Sequence, residues 1–271
     1  MKWTRFVRAK SACAYFFLGS GLSYGTFTSR MPAMKAQTQA HEAEIGFILL
    51  SLGISALVGL IVCSPLIRRF SSRLVLRIGS FGMALTLPLA ALSQSPLTFG
   101  LAAVSMGFFI GLVDVAMNTQ AIQLEQRFTS PCLALMHGSY SLGGLLGALS
   151  GALFSALGFS PLINFAIVMG LYCLPRPWVM PRLQKDRIIA AEKAPVQGRK
   201  PRFALPVIVV FCGAMAACCY AAEGTVGEWG SLFLFTVKGA SEQTAALVYA
   251  SFAVSTLCCR MVADMARTHF S

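Results

Sequence analysis

Acidic residues are scarce in this chain of 271 residues. Asp and Glu number 10 against 22 Lys and Arg, and charged residues of both signs make up only 12%. Hydrophobic residues make up 56%, and the mean hydropathy is +0.69. A soluble domain has too little interior to hide that much apolar surface. The composition predicts an all-α polytopic membrane protein surrounded by the lipid bilayer.

The motifs of common enzyme classes are absent from the sequence. It has no glycine-rich phosphate loop ending in lysine, no H-E-x-x-H and no G-x-S-x-G. We therefore predict no enzymatic activity and no cofactor. The nine cysteines form no C-x-x-C pair, and nearly all lie in or beside apolar runs. We interpret them as small hydrophobic side chains rather than disulfides or metal ligands.

Eight apolar runs follow one another along the chain. The predicted membrane spans are approximately 12–29, 45–67, 78–92, 101–125, 133–157, 161–174, 205–235 and 245–259. The sixth is short unless it continues toward Met180. A polar, basic, proline-punctuated stretch separates the last two spans from the first six. We divide the chain into an N-terminal six-helix half (1–174), a linker (175–204) and an incomplete C-terminal half (205–271).

The distribution of positive charge predicts the orientation. With the N-terminus in the cytoplasm, 19 of the 22 Lys and Arg fall on cytoplasmic segments and 3 on outside segments. This bias is the positive-inside pattern, and it predicts that both termini are cytoplasmic. It also explains the net charge of +12 without a nucleic-acid partner.

The fourth span carries polar residues on one helical face. Asp114, Asn118 and Glu125 are spaced i, i+4 and i+11, so an α-helix stacks them on one side. An intramembrane carboxylate costs about 2.5–3.5 kcal/mol, which favours turning Asp114 and Asn118 toward a water-filled cavity. The alternative is that they only bond across helices. For Glu125 we expect a salt bridge with Arg127 at the helix end. Gln120 falls outside this face and is expected to serve packing.

The fifth span opens with His137 and Tyr140. A histidine beside a carboxylate relays protons readily, since its unperturbed pKa is near physiological pH, but it serves equally well as a neutral donor between helices. Both alternatives stay open. Gly143, Gly147 and Gly151 follow at four-residue spacing, which predicts a face for close helix packing.

The seventh span contains an acidic residue before a glycine, Glu223, and we predict a bend there. Glu223 either faces a cavity or is simply paired at the bend. Trp229 either offers its ring for stacking or anchors the helix at the membrane interface. Tyr24 on the first span is a weaker candidate for the cavity wall.

The layout of six spans, a basic linker and further spans resembles the major facilitator superfamily. That family carries the loop motif G-x-x-x-D-[RK]-x-G-[RK]-[RK] between its second and third helices. Residues 64–73 match it in part. Arg69 and Arg73 match basic positions of the motif. Arg68 stands where the motif has aspartate, and neither glycine is present, with Ser71 at the position of the second glycine. The resemblance implies that these arginines belong to a cytoplasmic gating loop.

A second copy of the same motif starts 196 residues later. It runs from Arg260 and keeps an aspartate, Asp264, which supports an internal repeat. The stretches DVAMNTQ, HGSYSLGG and AAEGTVGEW resemble the fucose-permease-like branch of bacterial inner-membrane facilitators. The resemblance implies the major facilitator fold, with eight of twelve transmembrane helices present and the chain truncated after the eighth.

The same resemblance implies a function. We expect a secondary permease of the bacterial inner membrane for a small polar solute, sugar-like and coupled to protons as a symporter. On this view Asp114, His137 and Glu223 are the titratable set, and Trp229 is a candidate for stacking on a sugar ring. The competing class is a truncated remnant that does not transport or that acts by association with other membrane proteins. With four helices absent, we expect the chain to insert but not to transport by itself.

Overall fold

The computed structural model describes residues 2–185 and 207–270, the side chains of residue 2 and of residues 260–270 excepted. Every regular element in these ranges is a helix. The α-helices are α1 (Lys2–Ser29), α2 (Met31–Thr38), α3 (Glu42–Phe70), α4 (Ser72–Ala91), α5 (Pro96–Phe128), α6 (Leu133–Ala156), α7 (Pro161–Cys173), α8 (Arg176–Val179), α9 (Val207–Gly224), α10 (Gly230–Thr236) and α11 (Glu242–Phe270). A 3-10 turn (Met180–Arg182) follows α8, and a π-helical turn (Thr225–Trp229) joins α9 to α10.

The predicted spans correspond, in order, to α1, α3, α4, α5, α6, α7, the pair α9–α10, and α11. Among the described residues, five helical stretches are long and apolar enough to cross a membrane: Glu42–Phe70, Ser72–Ala91, Pro96–Phe128, Pro161–Arg182 and Val207–Thr236. The prediction of an all-α membrane bundle is therefore confirmed.

Glycines bring α1 and α6 into backbone contact. A Cβ on Gly25 would overlap the carbonyl oxygen of Gly144, and one on Gly147 would overlap that of Leu22. Only hydrogen fits at these positions, so the two helices approach more closely than side chains allow. The predicted close-packing face on the fifth span is confirmed.

Helix α5 is central to the N-terminal half, with α3 and α4 packed against it and α7 packed against α4. Gly107 and Gly111 of α5 lie against the backbone of α3, because a Cβ on either would overlap the carbonyl oxygen of Leu52 or Ala56. The largest side chains wholly buried in the bundle are Phe16, Phe17, Phe27, Phe99 and Phe165. This arrangement fixes where the polar face of α5 lies.

The C-terminal helices dock on one side of this bundle. Helix α11 packs against α6 and α10. The Ser231 hydroxyl donates to the Thr28 carbonyl at 3.0 Å and so ties α10 to α1. By contrast, no residue of α9 is buried within the described part of the chain. The closest packing between the two halves is therefore made by the π-turn, α10 and α11.

Two boundaries differ from the sequence prediction. The chain after Ser29 continues into the short helix α2. Pro32 does not prevent this helix, because it lies in the first turn, where proline is tolerated. The expected cytoplasmic loop 68–77 is almost entirely helical, because α3 continues to Phe70 and α4 begins at Ser72. Only Ser71 separates them, with φ +110° and ψ +147°.

The expected salt bridge between Glu125 and Arg127 is wrong. The Glu125 carboxylate instead accepts hydrogen bonds from the backbone N–H groups of Cys132 (2.5 Å) and Leu133 (2.9 Å), at the start of α6. Backbone N–H groups at a helix start have no partner within their own helix, so a carboxylate satisfies them well. Arg127 donates to the side-chain oxygen of Gln184 at 2.6 Å.

Gln120 serves packing, as expected from its place outside the polar face. It is buried, and its amide donates to the Ser72 hydroxyl (2.7 Å) and to the Gln184 carbonyl (3.1 Å), while it accepts from the Gln184 N–H (2.9 Å). The first residues of the predicted linker are thus held against α5. Residues 186–204 of that linker lie outside the described part of the chain, and the domain boundaries stay predictions.

Candidate functional site

The polar pair on α5 is joined within one helical turn. The Asn118 side-chain amide donates to the backbone carbonyl of Asp114 at 2.9 Å and to its carboxylate at 3.3 Å. Both residues are partly buried. The Asp114 carboxylate also lies within electrostatic range of Tyr140 on α6 and of Cys63 on α3.

A second polar contact links the two halves of the chain. The Tyr24 hydroxyl on α1 donates to the Glu228 carboxylate in the π-turn at 3.4 Å, across 204 residues of sequence. The Tyr24 ring also meets Tyr249 of α11 edge to face, with centroids 5.6 Å apart and planes at 74°. Three segments therefore converge on Tyr24.

Two glycines make room for these rings. A Cβ on Gly227 would lie 3.2 Å from the Tyr24 hydroxyl oxygen, and a Cβ on Gly144 would lie 2.9 Å from the Tyr249 ring. Larger residues at either position would push the tyrosines apart. The aromatic contact thus depends on small residues in the π-turn and in α6.

Tyr140 on α6 interacts electrostatically with members of both polar contacts. Its partners are Tyr24, Tyr249, Glu223 and Asp114. The arrangement brings together three phenols and three carboxylates, which we term the tyrosine–carboxylate cluster: Tyr24, Tyr140, Tyr249, Asp114, Glu223 and Glu228. Four of these residues are expected from the sequence, and Glu228 and Tyr249 are not.

The cluster includes a distorted helix. The bend predicted at Glu223 and Gly224 corresponds to the π-helical turn Thr225–Trp229, which begins at the next residue and contains Glu228. Such wide turns inside membrane or soluble helices occur frequently at functional sites. Glu228 could have been found from the sequence, since an intramembrane acidic residue marks a candidate site wherever it occurs.

Two further predicted site residues, His137 and Trp229, make ring contacts with α1 and α3. The His137 ring packs edge-on against Phe17, with centroids 5.5 Å apart. Trp229 is 39% exposed, and its ring faces Gly46 near the start of α3. The proposed roles of these two residues in proton relay and in sugar stacking stay predictions.

The predicted gating-loop arginines have different surroundings. Arg73 donates through Nε and Nη2 to the carbonyl of Met180, at 3.1 and 2.8 Å. Arg69 lies over the Phe70 ring at 5.4 Å, and Arg68 is exposed. Arg260 and Asp264 of the second motif copy lie on α11 at positions whose side chains are outside the described part.

A buried ion pair that the sequence does not predict joins the halves at the opposite end of the bundle. Arg30, at the α1–α2 junction, pairs with Glu242 at the start of α11, with 3.1 Å between Nε and Oε1. The same guanidinium donates to the carbonyls of Gly151 (3.3 Å) and Phe159 (2.8 Å). Within the described ranges, no group of three His, Cys, Asp or Glu is placed to hold a metal ion.

Comparison with known proteins identifies relatives over nearly the whole chain. The chain is 28% identical over 252 residues to an uncharacterized MFS-type transporter of Yersinia pestis, covering 93% of this chain and 63% of that protein. It is 27% identical over 259 residues to an uncharacterized transporter of Sinorhizobium fredii, covering 92% and 65%. The membrane protein MosC of Rhizobium meliloti is 25% identical over 264 residues, covering 94% and 61%. The chain thus spans less than two thirds of the length of these relatives.

A solved transporter structure and a family model also match this chain. The crystal structure of the nucleoside transporter NupG, as its D323A mutant, superposes with a TM-score of 0.67 at 16% identity, covering 93% of this chain and 65% of that one. The family model for the Major Facilitator Superfamily matches residues 13–267. The chain belongs to the Major Facilitator Superfamily of membrane transporters.

Proposed function

We propose that this chain contributes the solute pathway of a proton-coupled permease for a small polar solute. The observation that carries the proposal is the tyrosine–carboxylate cluster, in which Tyr24 of the N-terminal half meets Glu228 of the C-terminal half. Transporters of this kind bind their solute near the bilayer midplane, where two halves meet. A polar cluster at that meeting point is the chemistry a solute-binding site needs.

The cluster offers both hydrogen bonding and proton exchange. Phenol hydroxyls donate and accept, and the Asn118 amide does both through separate atoms, so together they can match a solute rich in hydroxyl groups. A carboxylate kept away from water is stabilised by taking up a proton. Asp114, Glu223 and Glu228 are therefore the groups that we propose to carry the coupled proton, with Glu228 added to the set expected from the sequence.

The contacts between the halves suggest how access could alternate. The Arg30–Glu242 ion pair and the Tyr24–Glu228 hydrogen bond both hold α1 against the C-terminal segments. Solute or a proton at Glu228 would compete with the Tyr24 hydroxyl for the carboxylate. We propose that this competition breaks the contact at Glu228 and opens that end of the bundle, while the end with the Arg30–Glu242 ion pair closes.

We propose the bacterial inner membrane as the location, with the basic end of the bundle in the cytoplasm. Alkaline phosphatase fused after Gln94, in the turn between α4 and α5, should be active because it is exported. Fused after Lys185, it should be silent. The reverse pattern would contradict the orientation.

Transport is tested with two solutes that share the predicted chemistry. Uridine represents nucleosides, because the similar structure is that of the nucleoside transporter NupG, and L-fucose represents the sugar-like solutes expected from the sequence. Uptake of each is measured in proteoliposomes with an imposed proton gradient. Since the chain spans less than two thirds of its relatives, the 271-residue chain is compared with a chimera that continues into the remaining part of the Yersinia pestis relative.

The variants distinguish a binding cluster from a merely structural one. Asp114→Asn and Glu228→Gln should abolish proton-driven uptake, whereas solute exchange without a proton gradient should survive in at least one of them. Glu42→Gln is the matched control, because its side chain is 76% exposed at the start of α3. Equal uptake by all variants would refute the role of the cluster. Absence of uptake of either solute by both chain and chimera would favour the competing, non-transporting class.

A further inference from the structure

A cavity lies on the surface of the N-terminal half, and none of its lining residues belongs to the tyrosine–carboxylate cluster. It is a groove of about 900 Å³ between α4 and the segment from α7 to the 3-10 turn, with Phe109 of α5 at its floor. One wall is an apolar stripe on α4: Leu74, Ile78, Phe81 and Leu85. These four side chains are 38–57% exposed, so the protein itself does not cover them. We term this cavity the lateral groove.

One end of the lateral groove is strongly basic. Arg73, Arg77 and Arg176 all line it. The ion pairs in the described part of the chain are Arg30–Glu242 and Lys35–Glu42, so neither compensates these three charges. The groove therefore combines a positive mouth with an apolar channel.

Packing of Arg176 makes the positive mouth a fixed feature. Arg176 is only 7% exposed, and its guanidinium lies 5.5–5.8 Å from the ring centroids of Phe16, Phe81 and Tyr172. It donates to the carbonyl of Arg77 at 2.7 Å, on the helix that carries the apolar stripe. Aromatic faces attract a cation but do not neutralise it. A buried guanidinium without a carboxylate gains most from an anion at the mouth of the groove.

The length of the apolar stripe identifies the ligand class. Leu74 and Leu85 are eleven residues apart on α4, which is about 16 Å at 1.5 Å per residue. One leaflet of a bilayer contributes about 15 Å of hydrocarbon. The stripe therefore matches one acyl chain running from headgroup to midplane. A free phosphate ion would use the arginines but not the stripe.

We propose that the lateral groove binds one anionic glycerophospholipid. Its phosphate lies at Arg73 and Arg77 next to Arg176, and one acyl chain lies along the stripe of α4. The predicted orientation places this mouth at the cytoplasmic leaflet, where anionic lipids attract basic side chains. The site is independent of the solute pathway, because it depends on membrane insertion alone.

The test measures lipid binding to the purified 271-residue chain by native mass spectrometry. Phosphatidylglycerol and phosphatidylcholine with identical acyl chains are titrated in parallel. One phosphatidylglycerol should be retained at concentrations where phosphatidylcholine is not. Arg77→Gln should weaken that binding about fivefold, since one basic side chain near the headgroups is removed. Arg8→Gln, an exposed arginine of α1 at the same end of the bundle, is the matched control and should bind as the unmodified chain does.

A second variant tests the acyl-chain part of the groove. Leu85→Trp fills the apolar channel at a 41% exposed position, leaves the arginines in place and should expel the lipid. Unchanged melting temperatures for Arg77→Gln and Leu85→Trp would show that each variant still folds. Equal retention of the two lipids, or equal loss in Arg77→Gln and Arg8→Gln, would overturn the proposal. Displacement of the lipid by millimolar inorganic phosphate, or retention by Leu85→Trp, would also overturn it, favouring a plain anion site or another occupant.

Discussion

Ser71 has a backbone conformation that glycine adopts far more easily than serine, so Ser71→Gly should stabilise the junction of α3 and α4. With φ +110° and ψ +147°, it lies beside the region that is nearly exclusive to glycine. Side-chain clashes in that region cost about 1–3 kcal/mol. This position is also the one where the loop motif of the superfamily carries its second glycine.

The net effect of the substitution includes two losses. The Ser71 hydroxyl accepts a hydrogen bond from the Leu74 N–H at 3.3 Å and so caps α4, but glycine is only a few tenths of a kcal/mol worse as a cap. Glycine also gives the unfolded chain more freedom, which costs about 0.4–1 kcal/mol. The expected net gain for Ser71→Gly is about 1 kcal/mol. Ser71→Ala keeps the clash and loses the cap, so it should cost about 1 kcal/mol.

The measurement is unfolding of the purified chain in mixed micelles with rising dodecyl sulfate, followed by tryptophan fluorescence. Ser71→Gly should unfold later than the unmodified chain and Ser71→Ala earlier, with about 2 kcal/mol between them. The control is Ser105→Gly on the exposed side of α5, where glycine should lower stability by about 0.5–1 kcal/mol. If Ser71→Gly were no more stable than Ser71→Ala, the strain argument would be refuted.

Two further substitutions test contacts that hold the bundle together. Glu242→Gln leaves the buried guanidinium of Arg30 without its carboxylate, so the free energy of unfolding should fall by about 2 kcal/mol, whereas Glu42→Gln at an exposed pair should leave the melting temperature unchanged. An equal effect of the two would contradict a structural role for the buried pair. Gly25→Ala places a methyl group against the backbone of α6 and should cost about 1–3 kcal/mol or prevent folding. Gly213→Ala, which has open space around it, should fold normally, and similar behaviour of both alanine variants would show that the helices separate easily.

The all-helical architecture and the order of the helices could be predicted because the bilayer imposes a length and an apolar composition on each span. The ends of the spans were less predictable. Arginines around residues 68–77 suggested a loop, but long basic side chains can extend from a helix end to the membrane surface. The helices therefore continue through these charges up to Ser71. Basic residues therefore indicate where a span leaves the hydrocarbon of the bilayer, but the helix itself can extend beyond that point.

The site could be predicted only within each segment. Asp114 and Asn118 share a turn of one helix, so their spacing alone predicts that they lie together. Tyr24 and Glu228 are 204 residues apart, and their contact depends on how the C-terminal segments dock. Glu125 shows the same limit, because its partners are backbone groups of the next helix. Contacts that depend on tertiary packing cannot be predicted from the spacing of residues within one helix.

The wide turn at Thr225–Trp229 changes which side chains share a side of its helix. An α-helix rotates by about 100° per residue, so Glu223 and Glu228, five residues apart, would diverge by about 140°. A turn closed from i to i+5 takes up one extra residue, and positions five apart come round to the same side. Both carboxylates then lie within electrostatic range of Tyr24. Deletion of Thr225 would restore a regular helix and leave the carboxylates four apart, still on one side, whereas insertion of a residue would turn them away from each other.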